Sequence, residues 1–461
     1  MKKFIGDKAF YRMVLAVAIP IMVQNGITNF VGLLDNIMVG RIGTEQMSGV
    51  AIVNQLIFIY NLSIFGAVSG AGIFGAQFFG CKDHKGVRYI FRFKAYACIL
   101  LTCIGVGVLC FWGEDLIRLY LHDEGNGQSL EAALAYGKQY LLVMLFGLLP
   151  FGVEQVYSST LRECGETVVP MKAGVVAVLV NCVLNFVLIF GYCGFPKLGV
   201  VGAAAATCIA RYVQAAIVII WTHKHVEKMP FVEGVYVRPI IPLDLTGRVI
   251  SKGFPLMMNE IMWAAGMAVL MQCYSVRGLD TVAAMNISST ISNLFNVVFL
   301  AMGSAISIIV GQLLGAGKME EAKDTDTKLI AFSVMSCVIL GGILVIVAPF
   351  FPRFYNTNEE VKALAAAFMR VAAIVMPMHG FIHASYFTIR SGGKTFITFL
   401  FDSVYVWCVN FPTAFILSRY TDMNIVLLYL ICQLTDLIKC VIGFFLIKKG
   451  IWLNNIVSKK A

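Results

Sequence analysis

The sequence predicts an all-α polytopic membrane protein: twelve transmembrane helices in two six-helix lobes, related by a pseudo-twofold axis along the membrane normal. Three observations carry that expectation. Of 461 residues, 59% are hydrophobic and 13% charged, with a mean hydropathy of +0.81, whereas a soluble domain carries about 25% charged residues. The apolar residues gather into about twelve blocks, each near the length of about 20 residues that a spanning helix needs. The chain is also written twice: AIPIMVQNG around Pro20 returns as GFPLMMNEI around Pro255, 235 positions later. The offset holds without a gap for roughly 65 residues, placing Gly43 on Gly278, Asn61 on Asn296, Gln77 on Gln312 and Gly80 on Gly315. A second pair, Leu161–Thr167 and Ile389–Thr395, shares an Arg-x-x-Gly-x-Thr pattern.

In chain order the blocks lie near 13–34, 47–78, 89–112, 133–158, 167–192 and 199–222 in the first copy. The second copy holds 249–274, 282–314, 328–352, 363–389, 396–418 and 424–447. The first block is expected to be a spanning helix rather than a cleaved signal. Pro20, Gln24 and Asn25 interrupt it, and no small-residue cleavage site follows. The second and eighth exceed one bilayer thickness and should tilt or protrude. The expected division is an N-terminal lobe over 1–228, a cytoplasmic linker over 229–248 and a C-terminal lobe over 249–461. With six helices per copy both lobes share one orientation, and such a doubled apolar chain is the signature of a secondary transporter with its substrate path between the copies.

The net charge of +10 does not indicate nucleic acid, because the basic residues concentrate in every second loop. Lys82/Lys85/Arg88/Arg92, Arg162/Lys172, Lys224/Lys228/Arg238/Arg248/Lys252, Lys318/Lys323/Lys328, Arg390/Lys394 and both termini, with Lys2 and Lys3 at the first, fall on one side. Glu114, Asp115, Asp123, Glu124 and Glu131 make the stretch after the third block acidic. Positive charge inside puts both termini in the cytoplasm of a multi-pass cell-membrane protein. Expected partners are the bilayer and a small-molecule substrate, with the chain working as a monomer.

Polar residues inside spans are costly, so they mark the interior or a water-filled cavity. Asp35 lies deep in the first block, and Gln24, Thr28 and Asp35 share one helical face, flanked by Asn25, Asn29 and Asn36. A seam between helices needs amides but not a carboxylate, so Asp35 is read as a cation or proton site. Glu260 follows Pro255 in the seventh block, while its repeat counterpart is Asn25 and that of Asp35 is Leu270. The acids therefore do not follow the repeat, as scaffold residues would. Trp263, Met267 and Met271 continue the Glu260 face and suit adaptable binding of varied ligands. Asn181 and Asn185 share a face, as do Asn54/Asn61 and Ser289/Asn293/Asn296, and the equivalence of Asn61 with Asn296 suggests a symmetric lining. Asp436 and Lys439, three apart, are expected to neutralise each other. Glu154 is expected to pair with Arg211, and Asp402, His379 and His383 are left unassigned.

Other classes lack support. Gly70-Ala-Gly72-Ile-Phe-Gly75 matches a dinucleotide fingerprint but sits in an apolar helix with no strand before it. The same run reads better as close helix packing. No Walker A sequence and no CxxC or Cys/His metal spacing occurs. The thirteen cysteines fall mostly inside apolar blocks, as small packing residues do. An enzyme would need a nucleophile–base or metal cluster, and none is visible.

The stretches AIPIMVQ, LLDNIMVGRIGTEQMSGVAI, LRECGETVVPMKAGVVAVLVNCVLNFVLIFG and LGVVGAAAATCIAR resemble the multidrug and toxic compound extrusion (MATE) family, of NorM-like or DinF-like bacterial type, over nearly the whole chain. The resemblance implies a cation-coupled antiporter that exchanges H⁺ or Na⁺ for organic, often cationic, compounds and has no cofactor. By motif, Asp35 corresponds to the family's first-helix acid, with Asn181, Asn185 and Thr207 beside it as cation or proton ligands. A Na⁺ would lie at Asp35, Asn181 and Asn185. Glu260 corresponds to the seventh-helix acid of the NorM-like branch, in a substrate or second cation site that also takes in Gln24, Asn61, Trp263, Met267, Asn293, Asn296 and His379. One departure stands out: where that branch carries a tenth-helix acid, this chain reads PMHGFIHASY, with His379. That leaves a C-lobe Na⁺ site short of an acid. Rival readings are a lipid-linked saccharide flippase, which would favour a wide basic cavity, and a metabolite exporter of the same architecture.

Overall fold

The computed structural model describes residues 4–458 apart from 121–129, 193, 238–239 and 356. Lys2, Lys3, Asp123, Glu124, Arg238 and the Asn36 side chain lie outside the described residues. Among the described residues every regular element is helical. The first copy gives α1 (Lys8–Gly40), α2 (Thr44–Gly80), α3 (His84–Tyr120), α4 (Leu130–Leu145), α5 (Leu148–Glu163), α6 (Val168–Phe190) and α7 (Val200–Lys224). The second gives α8 (Leu243–Ser275), α9 (Leu279–Gly315), α10 (Met319–Val347), α11 (Glu359–Ser391), α12 (Thr395–Phe399), α13 (Phe411–Tyr420), α14 (Ile425–Leu434) and α15 (Asp436–Lys448). Among the described residues eleven helical spans are long and apolar enough to cross a membrane, and the bent pair α4/α5, taken as one span, makes a twelfth. Each coincides with one expected block.

The departures from regular helix have local causes. Between α4 and α5 the axis bends by 46°. Pro150 lacks an N–H, and its ring would strike the carbonyl of Phe146 four residues back. The carbonyl it leaves without an N–H is taken by α7, where Tyr212 donates to Phe146 O at 3.1 Å, and Arg211 donates to Gly147 O at 3.1 Å beside the Phe151 N–H. This is how a broken helix keeps its backbone satisfied in lipid, and it corrects the expected Glu154–Arg211 pair. Glu154 instead accepts from Ser158 at 2.5 Å and Gln155 at 2.9 Å. α3 runs 37 residues, as long as α2 and α9, because charged ends containing Lys85, Arg88 and Glu114 continue the helix beyond its apolar block. At 1.5 Å per residue such helices measure roughly 55 Å, well beyond a hydrocarbon core of about 30 Å. The eleventh span winds as π-helix over Leu400–Val404 and Val406–Asn410 between α12 and α13.

The chain forms two compact units whose limits differ from those of the repeat. Unit 1 takes Met1–Met22, Ala76–Asp83 and Ile250–Ala461, and unit 2 takes Val23–Gly75 and His84–Val249. The core of unit 1 explains the first transfer: Val14, Val17, Ala18 and Ile21 of α1 pack with Ala301, Ala305, Ile306 and Ile309 of α9. The switch within α1 falls just after Pro20, the proline inside that helix. The second transfer rests on Gln77, which is fully buried and donates to the carbonyls of Ser391 at 2.9 Å and Asn454 at 3.2 Å.

In unit 2 the stretch after α7 is strapped to α3. Arg88 donates to Phe231 O at 3.0 Å, and Arg92 to Val235 O at 2.7 Å and Gly234 O at 2.8 Å. Much of the residue range expected as linker is thus anchored before α8 begins at Leu243. The glycine run of α2 also meets a partner in this unit. Cβ atoms on Gly72 and Gly75 would run into the Glu163 carboxylate, which supports the packing reading of that motif. Glu163 is held by Lys94, whose Nζ lies 2.6 and 2.7 Å from its two oxygens and 3.2 Å from both Ser159 and Thr160 hydroxyls.

Candidate functional site

Four polar residues predicted to act together do meet in unit 2. Asp35 is half-buried in α1 and accepts a hydrogen bond of 2.5 Å from the Asn185 amide of α6. The same amide donates to Asn181 Oδ1 at 3.0 Å, one turn earlier on α6. Asn181 in turn donates to Thr207 Oγ1 of α7 at 3.2 Å, and the threonine hydroxyl donates to its own helix at Ala203 O. The spacing of four between Asn181 and Asn185 puts both on one face of α6, and the alanine run of α7 lets that helix approach closely: a Cβ on Gly202 would meet the Leu188 backbone of α6. Asn181 and Asn185 are 3% and 1% exposed. Among the described residues no Lys, Arg or His pairs with Asp35, and Asn185 Oδ1 is buried without a hydrogen-bond partner. A carboxylate held by neutral groups, with further oxygens of Asn181, Asn185 and Thr207 beside it, has the donor set to take a proton or a small monovalent cation.

The other predicted residues divide between the units. Gln24, on the α1 face that carries Asp35, accepts from Arg162 at 3.3 Å and is not in the Asp35 chain. Asn61 is in unit 2 with a buried Oδ1 lacking a partner. In unit 1, Asn296 donates to Asn293 at 3.5 Å. Trp263 and Met267 on α8 are 41% and 46% exposed, a surface position rather than core packing. Glu260 is half-buried on α8 and makes no hydrogen bond or ion pair among the described residues, with Arg390 and Asp402 as its charged neighbours.

Unit 1 also contains an ionic cluster that differs from the one expected. Asp436 and Lys439 do not pair with each other. Lys439 reaches Asp402 Oδ1 at 2.6 Å, while Asp436 takes His379 Nε2 at 3.4 Å and the Asn410 amide at 3.0 Å. Neighbours at i,i+3 share a face, but both side chains here turn to other helices. Asn259 of α8 donates to Asp402 Oδ2 at 3.1 Å and to Tyr386 OH at 3.2 Å, and accepts from the Ser403 hydroxyl at 2.8 Å. Asn259 was not singled out from sequence; an amide next to Glu260 just after an intramembrane proline was the available signal.

Taken together, the molecule is a multi-pass helical membrane protein with doubled architecture and carboxylates buried among its spans. Comparison with known sequences narrows this. The MatE family model matches residues 20–187 and 255–416, one segment in each copy, and the chain belongs to that family. It is 23% identical over 413 residues to a probable multidrug resistance protein NorM of Thermotoga maritima, covering 89% of this chain and 86% of that one. To a probable multidrug resistance protein NorM of Oceanobacillus iheyensis it is 25% identical over 426 residues, covering 90% and 91%. Among solved structures it is similar to a MATE protein in the straight conformation, with a TM-score of 0.84, 19% identity and 98% and 97% coverage. At that identity the likeness is one of fold.

Proposed function

We propose that the protein is a cation-coupled antiporter that exports organic, often cationic, compounds across the cell membrane, with Asp35 as the residue that binds the coupling ion. The observation that carries this reading is the surroundings of Asp35: a carboxylate within a span, hydrogen-bonded to Asn185 and lacking any cationic side chain among the described residues. An intramembrane acid without a built-in counter-charge is suited to exchanging one. The names of the NorM relatives support export of drug-like compounds. The coupling ion is H⁺ or Na⁺. The carboxylate alone serves a proton, and the oxygens of Asn181, Asn185 and Thr207 serve Na⁺ as transported substrate. Coupling follows if the ion and the organic compound prefer different conformational states, or compete for the one carboxylate.

The test is transport in proteoliposomes with pH and Na⁺ gradients imposed separately. The wild type should move substrate uphill under one of them. Asp35→Asn keeps the local hydrogen-bonding size and removes the charge; it should insert normally and lose gradient-driven export. Full gradient-driven export by that variant would sink the assignment.

A further inference from the structure

The two units solve one electrostatic problem differently. Each holds an aspartate inside its helices with an asparagine amide on one oxygen: Asn185 on Asp35 in unit 2, Asn259 on Asp402 in unit 1. At Asp35 no positive side chain among the described residues completes the site. At Asp402 one does. Lys439 of α15 is 5% exposed and places Nζ 2.6 Å from Asp402 Oδ1, the ammonium lying 5.3 Å from the Phe401 ring centre and 5.8 Å from that of Tyr405. Oxygens continue on the other side of Asp402: Asn259 bridges Asp402 to Tyr386 OH, Ser403 donates to Asn259, and Glu260 is a further charged group beside Asp402. Asp402 and Ser403 sit in the π-wound turn Leu400–Val404, a form of helix that recurs at functional sites.

We propose that Lys439 is a tethered cation, its ammonium occupying at Asp402 the place of an exchangeable monovalent ion, so that ion exchange belongs to Asp35 alone. The proposal rests on the reading of the chain as a cation-coupled transporter and goes on to assign the coupling to one unit. The physical argument is direct. A second cation at Asp402 would face like-charge repulsion from Lys439 in a low-dielectric interior, where such terms are large. A lysine is fixed by its four-carbon stem and cannot leave with the transport cycle. The charged groups that face Asp402 come from each neighbouring element: Glu260 from α8, His383 from α11 and Lys439 from α15, with Arg390 of α11 beside Glu260 and Asp436 of α15 beside Lys439. An ordinary structural ion pair would share the 2.6 Å contact, but it would not leave a cation site behind when the lysine charge is removed.

Equilibrium binding of radioactive sodium to purified full-length protein in detergent tests this, with Asp35→Asn as the background so that unit 2 is silent. The single variant should show no saturable Na⁺ binding. Asp35→Asn/Lys439→Met, which keeps the side-chain length, should gain one saturable Na⁺ site, and adding Asp402→Asn should remove it. Lys439→Gln is the second variant should methionine impair folding; it retains a donor to Asp402 without the charge. Saturable binding by Asp35→Asn with Lys439 in place overturns the proposal, as does a folded Lys439 variant that gains no site. Because the readout is binding rather than transport, its failure is distinct from failure of Asp35→Asn to lose coupled export.

Discussion

Gly80 and Gly315, equivalent positions of the two copies, pack reciprocally. A Cβ on Gly80 would enter the backbone of Gln312, and one on Gly315 would enter the backbone of Gln77, which is the repeat counterpart of Gln312. Each glycine is the last residue of its helix, α2 or α9. Exchange of equivalent contacts is what a local twofold relation produces, and backbone cannot move aside as a side chain can. Gly80→Ala and Gly315→Ala should therefore each lower stability, by about 1–3 kcal/mol on the scale of overpacked interiors. Thermal melting of purified variants reads the effect. An unchanged midpoint for both would mean the helices separate freely here.

Lys94 and Glu163 form an ion pair in which the lysine is fully buried and the glutamate side chain is 10% exposed. Removing one partner strands the other. Lys94→Met should cost about 3–5 kcal/mol, and Lys94→Met/Glu163→Gln should recover much of that, since replacing both charges of a buried pair is often near neutral. A double-mutant cycle by thermal melting measures the coupling. Additive losses would show that the pair contributes no mutual stabilisation.

Gln77 ties the end of α2 to the C-terminal segment. Its amide nitrogen donates to Ser391 and Asn454 carbonyls, and its oxygen accepts from Ile456 N at 2.8 Å. Gln77→Ala removes these three hydrogen bonds, so residues 452–458 should become more open to carboxypeptidase digestion. Mass spectrometry over a digestion time course follows the trimming. A rate equal to wild type would mean that Trp452, 1% exposed, holds the segment unaided.

Much of this architecture is legible in sequence because lipid imposes simple rules. Among the described residues each of the twelve apolar blocks matches one span, with the bent pair counted as one; helical spacing joins Asn181 to Asn185, and the hydrogen bonds link them to Asp35 and Thr207, the grouping that the family resemblance implies. Pairings between distant spans were harder to read. Lys439 lies three residues from Asp436 in sequence but bonds to Asp402 in the preceding span, because the choice depends on how four helices converge. Likewise charge alone pairs Arg211 with Glu154, whereas its guanidinium goes to the Gly147 carbonyl at the bend between α4 and α5. The unit boundaries escaped the repeat pattern for a related reason. An offset between copies identifies equivalent residues, but it does not say that Val14 and Ile21 pack with Ala301 and Ile309.

Glu260 should discriminate among substrates. Its carboxylate has no hydrogen-bond or ion-pair partner among the described residues, unlike Asp402 and Asp436 in the same unit. It shares α8 with the exposed Trp263 and Met267, an apolar and polarizable surface that tolerates varied shapes. A carboxylate that no hydrogen bond or ion pair holds, with the like-charged Asp402 beside it as well as Arg390, favours a positive ligand, whereas the adjacent apolar groups serve charged and neutral compounds alike. Glu260→Gln should therefore weaken cationic substrates by about tenfold, roughly 1.4 kcal/mol, and leave neutral ones of similar size within about twofold, a few tenths of a kcal/mol. Competition binding with matched cationic and neutral dyes on the purified variant makes the comparison, at a pH where both dyes keep a single charge state. Equal losses for the two classes would place Glu260 outside ligand recognition and assign it to structure.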